Sequence, residues 1–228
     1  MQQPGNSPVD FSSPPWTDAP LITPCYAVHN LWNRASLRKT CLETGQRLLI
    51  CHAEDTIRNH PLSLLEQYAL AQQGAGDGRR KRKDLPETIE LAIRMKVMVT
   101  NNIATDLDIK NGARGIIVDI VLSPEEPLLG DTSIIALKHL PQCVLVKLAR
   151  TRAAHLDGLD NGVILIFPAK SSMQITLAKK AKTVTHFRCP VAAAYCFADC
   201  RSRGRAVSCV TVGVTSPPGG RLSLFNLQ

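Results

Sequence analysis

Hydrophobic positions fall along this chain in three successive rhythms. Residues 19–24 (Ala-Pro-Leu-Ile-Thr-Pro) form a short apolar run of the kind a buried strand carries. From residue 26 to residue 44 the apolar side chains Ala27, Leu31, Ala35, Leu37 and Leu42 recur at close to helical spacing, and Gly45 is placed to end the helix. Residues 47–52 (Arg-Leu-Leu-Ile-Cys-His) then read as a second strand. Strand, helix and strand within some 35 residues is the βαβ unit of a parallel sheet. A further helix is expected over 61–73, with Leu62, Leu65, Tyr68, Ala69 and Leu70 as its apolar stripe.

From Thr88 the rhythm shortens to two. Residues 88–100 alternate apolar and polar positions, and Lys110-Asn111-Gly112 is a turn signal, because Asn-Gly tolerates the positive φ a hairpin needs. Strands are predicted over 115–122, 133–140, 143–148 and 163–167. Short β-runs joined by turns suggest a small barrel. Beyond Lys182 a strand–helix–strand rhythm returns and ends at 210–214. The predicted architecture is an α/β layer interrupted by a small barrel.

Composition narrows the class. At 44% apolar residues a core is available, and with only 4% aromatics it must rest on aliphatic side chains. No stretch of about 18 apolar residues predicts a membrane helix. Residues 1–15 are rich in Gln, Pro and Ser without a basic-then-apolar pattern, so they predict a disordered N-terminus rather than a signal peptide. An intracellular protein without a membrane partner is the expectation.

The formal charge of +8 is unevenly placed. Residues 150–228 hold eleven basic side chains against three acidic, while the rest of the chain is balanced. A one-sided basic surface points to a polyanion, most often nucleic acid, or else to a solvated face. Residues 74–84 read as a flexible basic loop, and its run Arg79-Arg-Lys-Arg-Lys83 is a candidate nuclear-localisation signal or phosphate contact. Eight cysteines contain no Cys-x-x-Cys pair. His186-x-x-Cys189 with Cys196-x-x-x-Cys200 offers four metal donors, but at a spacing foreign to known knuckles, so buried thiols and no metal site are expected.

Several blocks, taken in order, resemble the petite-integration-frequency family of superfamily-1 DNA helicases, including its relatives in Helitron rolling-circle transposons. They are Leu21-Ile-Thr-Pro24, Trp32-Asn33, Ala53-Glu-Asp55, Leu85-Pro-Glu-Thr-Ile-Glu-Leu91, and Met95-Lys-Val-Met-Val-Thr-Asn-Asn102. Leu107-Asp-Ile-Lys-Asn-Gly-Ala-Arg-Gly115 is the most specific, and the stretch from Pro190 to Gly204 follows. The resemblance implies two RecA-like lobes that hold ATP and Mg2+ between them, the second lobe interrupted by a Src-homology-3-like β-barrel that helps grip single-stranded DNA. Residues 16–73 and 171–228 would then be parts of the second lobe and 85–170 the barrel, with Asn111, Gly112 and Arg114 as its DNA-binding candidates.

Departures from the family pattern are equally informative. No Gly-Lys-Ser/Thr triplet occurs anywhere in the chain, so the loop that cradles nucleotide phosphates is missing. The chain ends at Leu224-Phe-Asn-Leu-Gln228, before the family's Ala-Leu-Ser-Arg block. Where relatives read Tyr-Arg-Ser-Gln-Gly-Gln-Thr, this chain reads Cys200-Arg-Ser-Arg-Gly-Arg-Ala206. Arg201, Ser202 and Gly204 match, while Arg203 and Arg205 replace amides that both donate and accept with donor-only cations. Arg201, Ser202, Arg203, Gly204 and Arg205 are the nucleotide- or DNA-proximal candidates by resemblance. The expectation is a C-terminal helicase fragment with no catalytic residue and no cofactor of its own, retaining weak, salt-dependent binding to single-stranded DNA. The alternatives are a subunit whose missing first lobe lies on another chain, and a protein-interaction module built on the barrel.

Overall fold

The computed structural model describes residues 16, 19–73, 88–177, 180–198 and 211–212. The expectations for 1–15, for the Arg79–Lys83 run and for Arg201–Arg205 lie outside the described residues. The chain divides into two compact units, Met1–Lys39 with Ala193–Gln228, and Thr40–Ala192.

The first unit is built on a parallel three-stranded sheet. Its central strand β1 (Leu21–Thr23) lies between β14 (Cys196–Ala198) and β15 (Thr211–Val212). Leu21, Leu37, Ala194, Cys196 and Phe197 are its buried apolar residues among the described residues. Helix α1 (Tyr26–Thr44) has the predicted bounds but not the predicted face. Leu31 is 71% exposed and Leu42 85%, whereas the buried positions are Asn33 and Leu37, one helical turn apart. A polar side chain occupies the inward face because its hydrogen bonds are made there. Asn33 Oδ1 accepts from the backbone N–H of Tyr195 (3.0 Å) and of Cys196 (2.9 Å). Its amide nitrogen lies 3.3 Å from the Cys196 carbonyl and 3.2 Å from His29 Nε2.

The second unit contains three sheets. In one, β2 (Leu48–His52) is flanked by antiparallel β5 (Thr88–Leu91) and parallel β8 (Ile134–Ala136). In the second, β6 (Lys96–Val99), β7 (Arg114–Val121), β9 (Cys143–Leu148) and β10 (Val163–Ile166) form an antiparallel meander, with β13 (Val191–Ala193) beside β6. The third has the order β11 (Ala169–Leu177), β12 (Lys180–Arg188), β3 (Glu54–Ile57), β4 (His60–Pro61).

The strand-like segment 88–100 does not run unbroken: Arg94 takes φ +68, and its N–H bonds the Ile117 carbonyl, dividing it between Leu91 and Lys96. Nor does a closed barrel form among the described residues. The meander is an open sheet with β10 and β13 at its edges, while β5 and β8 complete hydrogen bonding on either side of β2. Alternating apolar positions mark a strand with one buried face, but they do not say which neighbour supplies its ladder.

Helix α2 (Leu64–Gln73) packs on the third sheet, burying Leu62 and Ala69 with Ile175 and Val184. Leu65 and Tyr68, expected in its stripe, are exposed. Ser63 and Glu66 start the helix: the carboxylate accepts from the Ser63 backbone N–H (2.9 Å) and hydroxyl (2.8 Å), satisfying a donor that the first turn leaves unpaired. The other Glu66 oxygen meets Lys182 Nζ of β12 at 2.7 Å, tying helix to sheet. No helix among the described residues is long and apolar enough to cross a membrane.

Candidate nucleic-acid interface

Between β6 and β7 the chain makes an excursion that the sequence marks with Asp, Lys, Asn and Gly in succession. A single 3-10 turn (Thr105–Leu107) ends at Asp108, whose φ of +62 lies in the left-handed region that Asp tolerates better than most residues. The Ala104 and Ile109 backbones bond each other reciprocally at 2.9 Å, closing this loop on itself. Next, the Ala113 N–H reaches the Lys110 carbonyl (2.9 Å) across a turn in which Gly112 takes φ +94. A side chain is disfavoured at that angle. The Gly112 N–H bonds the Val99 carbonyl (2.8 Å), and Asn102 Oδ1 accepts from the Asn111 N–H (2.9 Å), so the turn is fixed at its base.

A second segment, following β9, is fastened to the first. The Arg152 N–H and the Thr151 hydroxyl both donate to the Leu107 carbonyl at 3.0 Å. This brings Arg150 and Arg152, some forty residues later, to the carboxylate of Asp108. Lys110 Nζ lies 3.1 Å from one Asp108 oxygen; Arg152 Nε and Arg150 Nε lie 3.3 and 3.8 Å from the other. The Lys110 hydrogen bond leads, and the cations follow, in holding the Asp108 carboxyl below the usual carboxylate range. Asp108 is only 16% exposed at its side chain, whereas Lys110, Arg150 and Arg152 are 55%, 82% and 70% exposed. Three cations thus share one carboxylate and present the surplus charge to solvent.

Of the residues singled out from the sequence, Asn111 and Gly112 lie on this turn beside Lys110, Asn111 exposed and Gly112 half-buried. Arg114 is half-buried at the start of β7, paired with Met98 across the ladder. Gly115 follows it where β7 and β9 approach closely. A Cβ there would stand 2.5 Å from the Lys147 carbonyl oxygen and 2.6 Å from Val146 Cγ1 on β9. Sequence reading did not single out Asp108, Arg150 or Arg152. The only signal for the arginines was the basic excess that begins at residue 150.

The donors considered for a metal are otherwise engaged. His186 Nδ1 pairs with Asp55 Oδ1 across the β12–β3 ladder. Cys189 and Cys196 are buried, and burial pushes their thiols up to about 12 and about 11. Cys200 lies outside the described residues. Among the described residues no three His, Cys, Asp or Glu side chains gather as a metal site.

No protein-family model matches the chain, and no curated protein matches it. Solved structures do. The chain is similar to the Pif1 helicase from Candida albicans, with a TM-score of 0.52 and 15% identity over 85% of this chain and 39% of that one. It also matches unliganded Pif1 from Bacteroides sp. (TM-score 0.48, 12% identity, 86% of this chain and 46% of that one). Bacteroides Pif1 bound to single-stranded DNA matches with a TM-score of 0.45 and 10% identity, over 86% of this chain and 34% of that one. The chain therefore spans less than half the length of these helicases, and it carries a Pif1-like helicase fold over most of its own length.

Proposed function

We propose that this chain is the single-strand-gripping portion of a Pif1-type helicase of the kind carried by rolling-circle transposons, holding DNA by its phosphates and not hydrolysing ATP by itself. The observation that carries the reading is the exposed cluster of Lys110, Arg150 and Arg152, mounted on the turn that holds Asn111 and Gly112. Side chains of this type bond phosphate oxygens, and such contacts position a strand without reading its bases. Arg201, Arg203 and Arg205 add cations to the same task. In this reading the β6–β7–β9–β10 meander corresponds to the Src-homology-3-like insertion of such helicases, and the work is nuclear.

ATP and Mg2+ belong to the intact family, and the residues of this chain do not fit them. Phosphates need the backbone cradle and lysine of a Gly-x-x-x-x-Gly-Lys-Ser/Thr loop, which the 228 residues lack. A first lobe outside these 228 residues would have to supply it. The test is fluorescence anisotropy with labelled oligothymidine across a salt series. Each single-strand phosphate neutralised contributes about 0.7 to the slope of log affinity against log salt, and Asp108 already offsets one of the three cations, so the triple change K110A/R150A/R152A lowers the slope by about 1.4. An unchanged slope with the fold intact would remove the assignment.

A further inference from the structure

A second surface of the Thr40–Ala192 unit has the opposite character from the cationic turn. The loop after β7, the loop before β9 and the β10–β11 connection meet the Glu54–Phe187 pair of the β3–β12 ladder around an open groove of about 530 Å3. Buried Leu140 and Pro141, half-buried Phe187 and exposed Phe167 supply its apolar lining. Exposed Glu54 and Glu125 supply its charge, and neither Lys nor Arg lines it. In a chain of net charge +8 this is a local reversal of sign.

The groove is also preformed. The Glu126 carboxylate accepts from the backbone N–H of Lys138 (2.9 Å) and of His139 (2.8 Å), pinning the wall that holds Leu140 and Pro141. The Gln142 N–H bonds the Val121 carbonyl (2.8 Å), closing the same wall at its foot. A surface that needs no ordering on binding loses less entropy when occupied. Lys170, paired with Phe187 across the β11–β12 ladder, already holds its Nζ 5.9 Å from the centroid of that ring, so an incoming cation is drawn to the Glu54 and Glu125 carboxylates rather than to the ring.

From this lining we infer that the groove docks an extended, proline-bearing basic peptide segment of a partner protein. Three features select that occupant. Aromatic and proline side chains facing an open channel suit the ridged, preordered polyproline II helix, which leaves its own backbone solvated. Two carboxylates favour flanking Arg or Lys residues. Those same carboxylates repel phosphate, which separates the groove from the path of a DNA strand. The inference goes beyond DNA gripping and does not depend on it.

The experiment uses the full chain and a fluorescein-labelled twelve-residue probe with Pro-x-x-Pro spacing and two flanking arginines. Saturable anisotropy is expected. F167A should weaken it about tenfold, the effect of losing one interface anchor. E54Q/E125Q should weaken it to a similar degree and flatten its salt dependence. A probe with glycines in place of the prolines should bind weakly, because its extended form is no longer preordered. Both variants alter exposed side chains, so circular dichroism spectra and thermal melting should match the parent's and serve as the control for folding. The proposal is overturned by any one of three results: no saturable binding, equal binding of the glycine probe, or affinity untouched by both F167A and E54Q/E125Q. Displacement of the peptide by oligothymidine would overturn it as well, by assigning the groove to nucleic acid.

Discussion

Asn33 and Cys196, 163 residues apart in the chain, bond through both ends of one side-chain amide. The Cys196 N–H donates to Asn33 Oδ1 at 2.9 Å, and Asn33 Nδ2 donates to the Cys196 carbonyl at 3.3 Å. The helix thereby offers β14 the donor and acceptor that a neighbouring strand would offer. Asn33→Ala leaves the Tyr195 and Cys196 N–H groups and one carbonyl without this partner. Buried polar groups left unpaired cost about 1–3 kcal/mol each, so a loss of about 3 kcal/mol is expected by urea denaturation. Leu42→Ala on the same helix, at an exposed position, should stay within about 0.5 kcal/mol of the parent. Equal effects of the two changes would show that the amide does not secure β14.

Gly115 is required by approach, not by dihedral angle. The Lys147 carbonyl oxygen lies 2.5 Å from where a methyl group would sit, so Gly115→Ala forces β7 and β9 apart at the centre of the meander. Overpacking of this kind costs about 1–3 kcal/mol, and a backbone obstacle places the change at the upper end. Gly130→Ala meets nothing within 4 Å and should be neutral or slightly stabilising. Thermal melts of the two variants give the comparison.

Much of the β-structure was legible as strands. Residues 143–148 form β9 as predicted, 47–52 contain β2, and 115–122 overlap β7. Partners were not legible. Thr88–Leu91 and Ile134–Ala136 join β2 rather than the meander, a choice made by edges far away in sequence. The long β11–β12 hairpin escaped notice because its alternation is carried by polar partners: Met173, Ile175 and Leu177 are interleaved with Gln and Thr among Ser and Lys. The inward face of α1 escaped because hydrophobicity was the guide, and the decisive residue there is an amide. At the candidate interface Asn111 and Gly112 could be found from turn chemistry. Arg150 and Arg152 could not be joined to them, since the bonds to the Leu107 carbonyl that bring them there exist only after folding.

Acid should loosen the contact between α2 and β12. Hydrogen bonding from Lys182, then from the Ser63 backbone and hydroxyl, lowers the Glu66 carboxyl from its ordinary 4.5 to about 2. A group depressed in the folded state contributes stability that is present above its unfolded value and is lost as pH falls through its folded value. The contribution is therefore complete above about 4.5 and disappears towards about 2. Glu66→Gln removes it at every pH. Urea midpoints of parent and variant should differ most at pH 7 and converge by about pH 2. A gap independent of pH would mean that Glu66 acts by packing alone.

In the proposed DNA-gripping role, Asp108 sets how much of the cationic turn is available to a phosphate. Its carboxylate is shared by Lys110, Arg150 and Arg152, and it is the negative charge that an incoming strand must displace. Asp108→Asn keeps a residue that accepts the left-handed backbone at φ +62 and removes that competitor. The segments themselves remain joined, because the Thr151 hydroxyl and the Arg152 backbone N–H bond the Leu107 carbonyl, contacts in which the Asp108 side chain takes no part. One further positive charge is then free to neutralise a phosphate. The slope of log affinity against log salt for oligothymidine should steepen by about 0.7, with tighter binding at low salt than the parent shows. The gain should vanish in the background K110A/R150A/R152A, where the released cations no longer exist. A shallower slope in Asp108→Asn alone would reverse the assignment, making Asp108 the residue that aims the arginines at the strand rather than the one that competes for them.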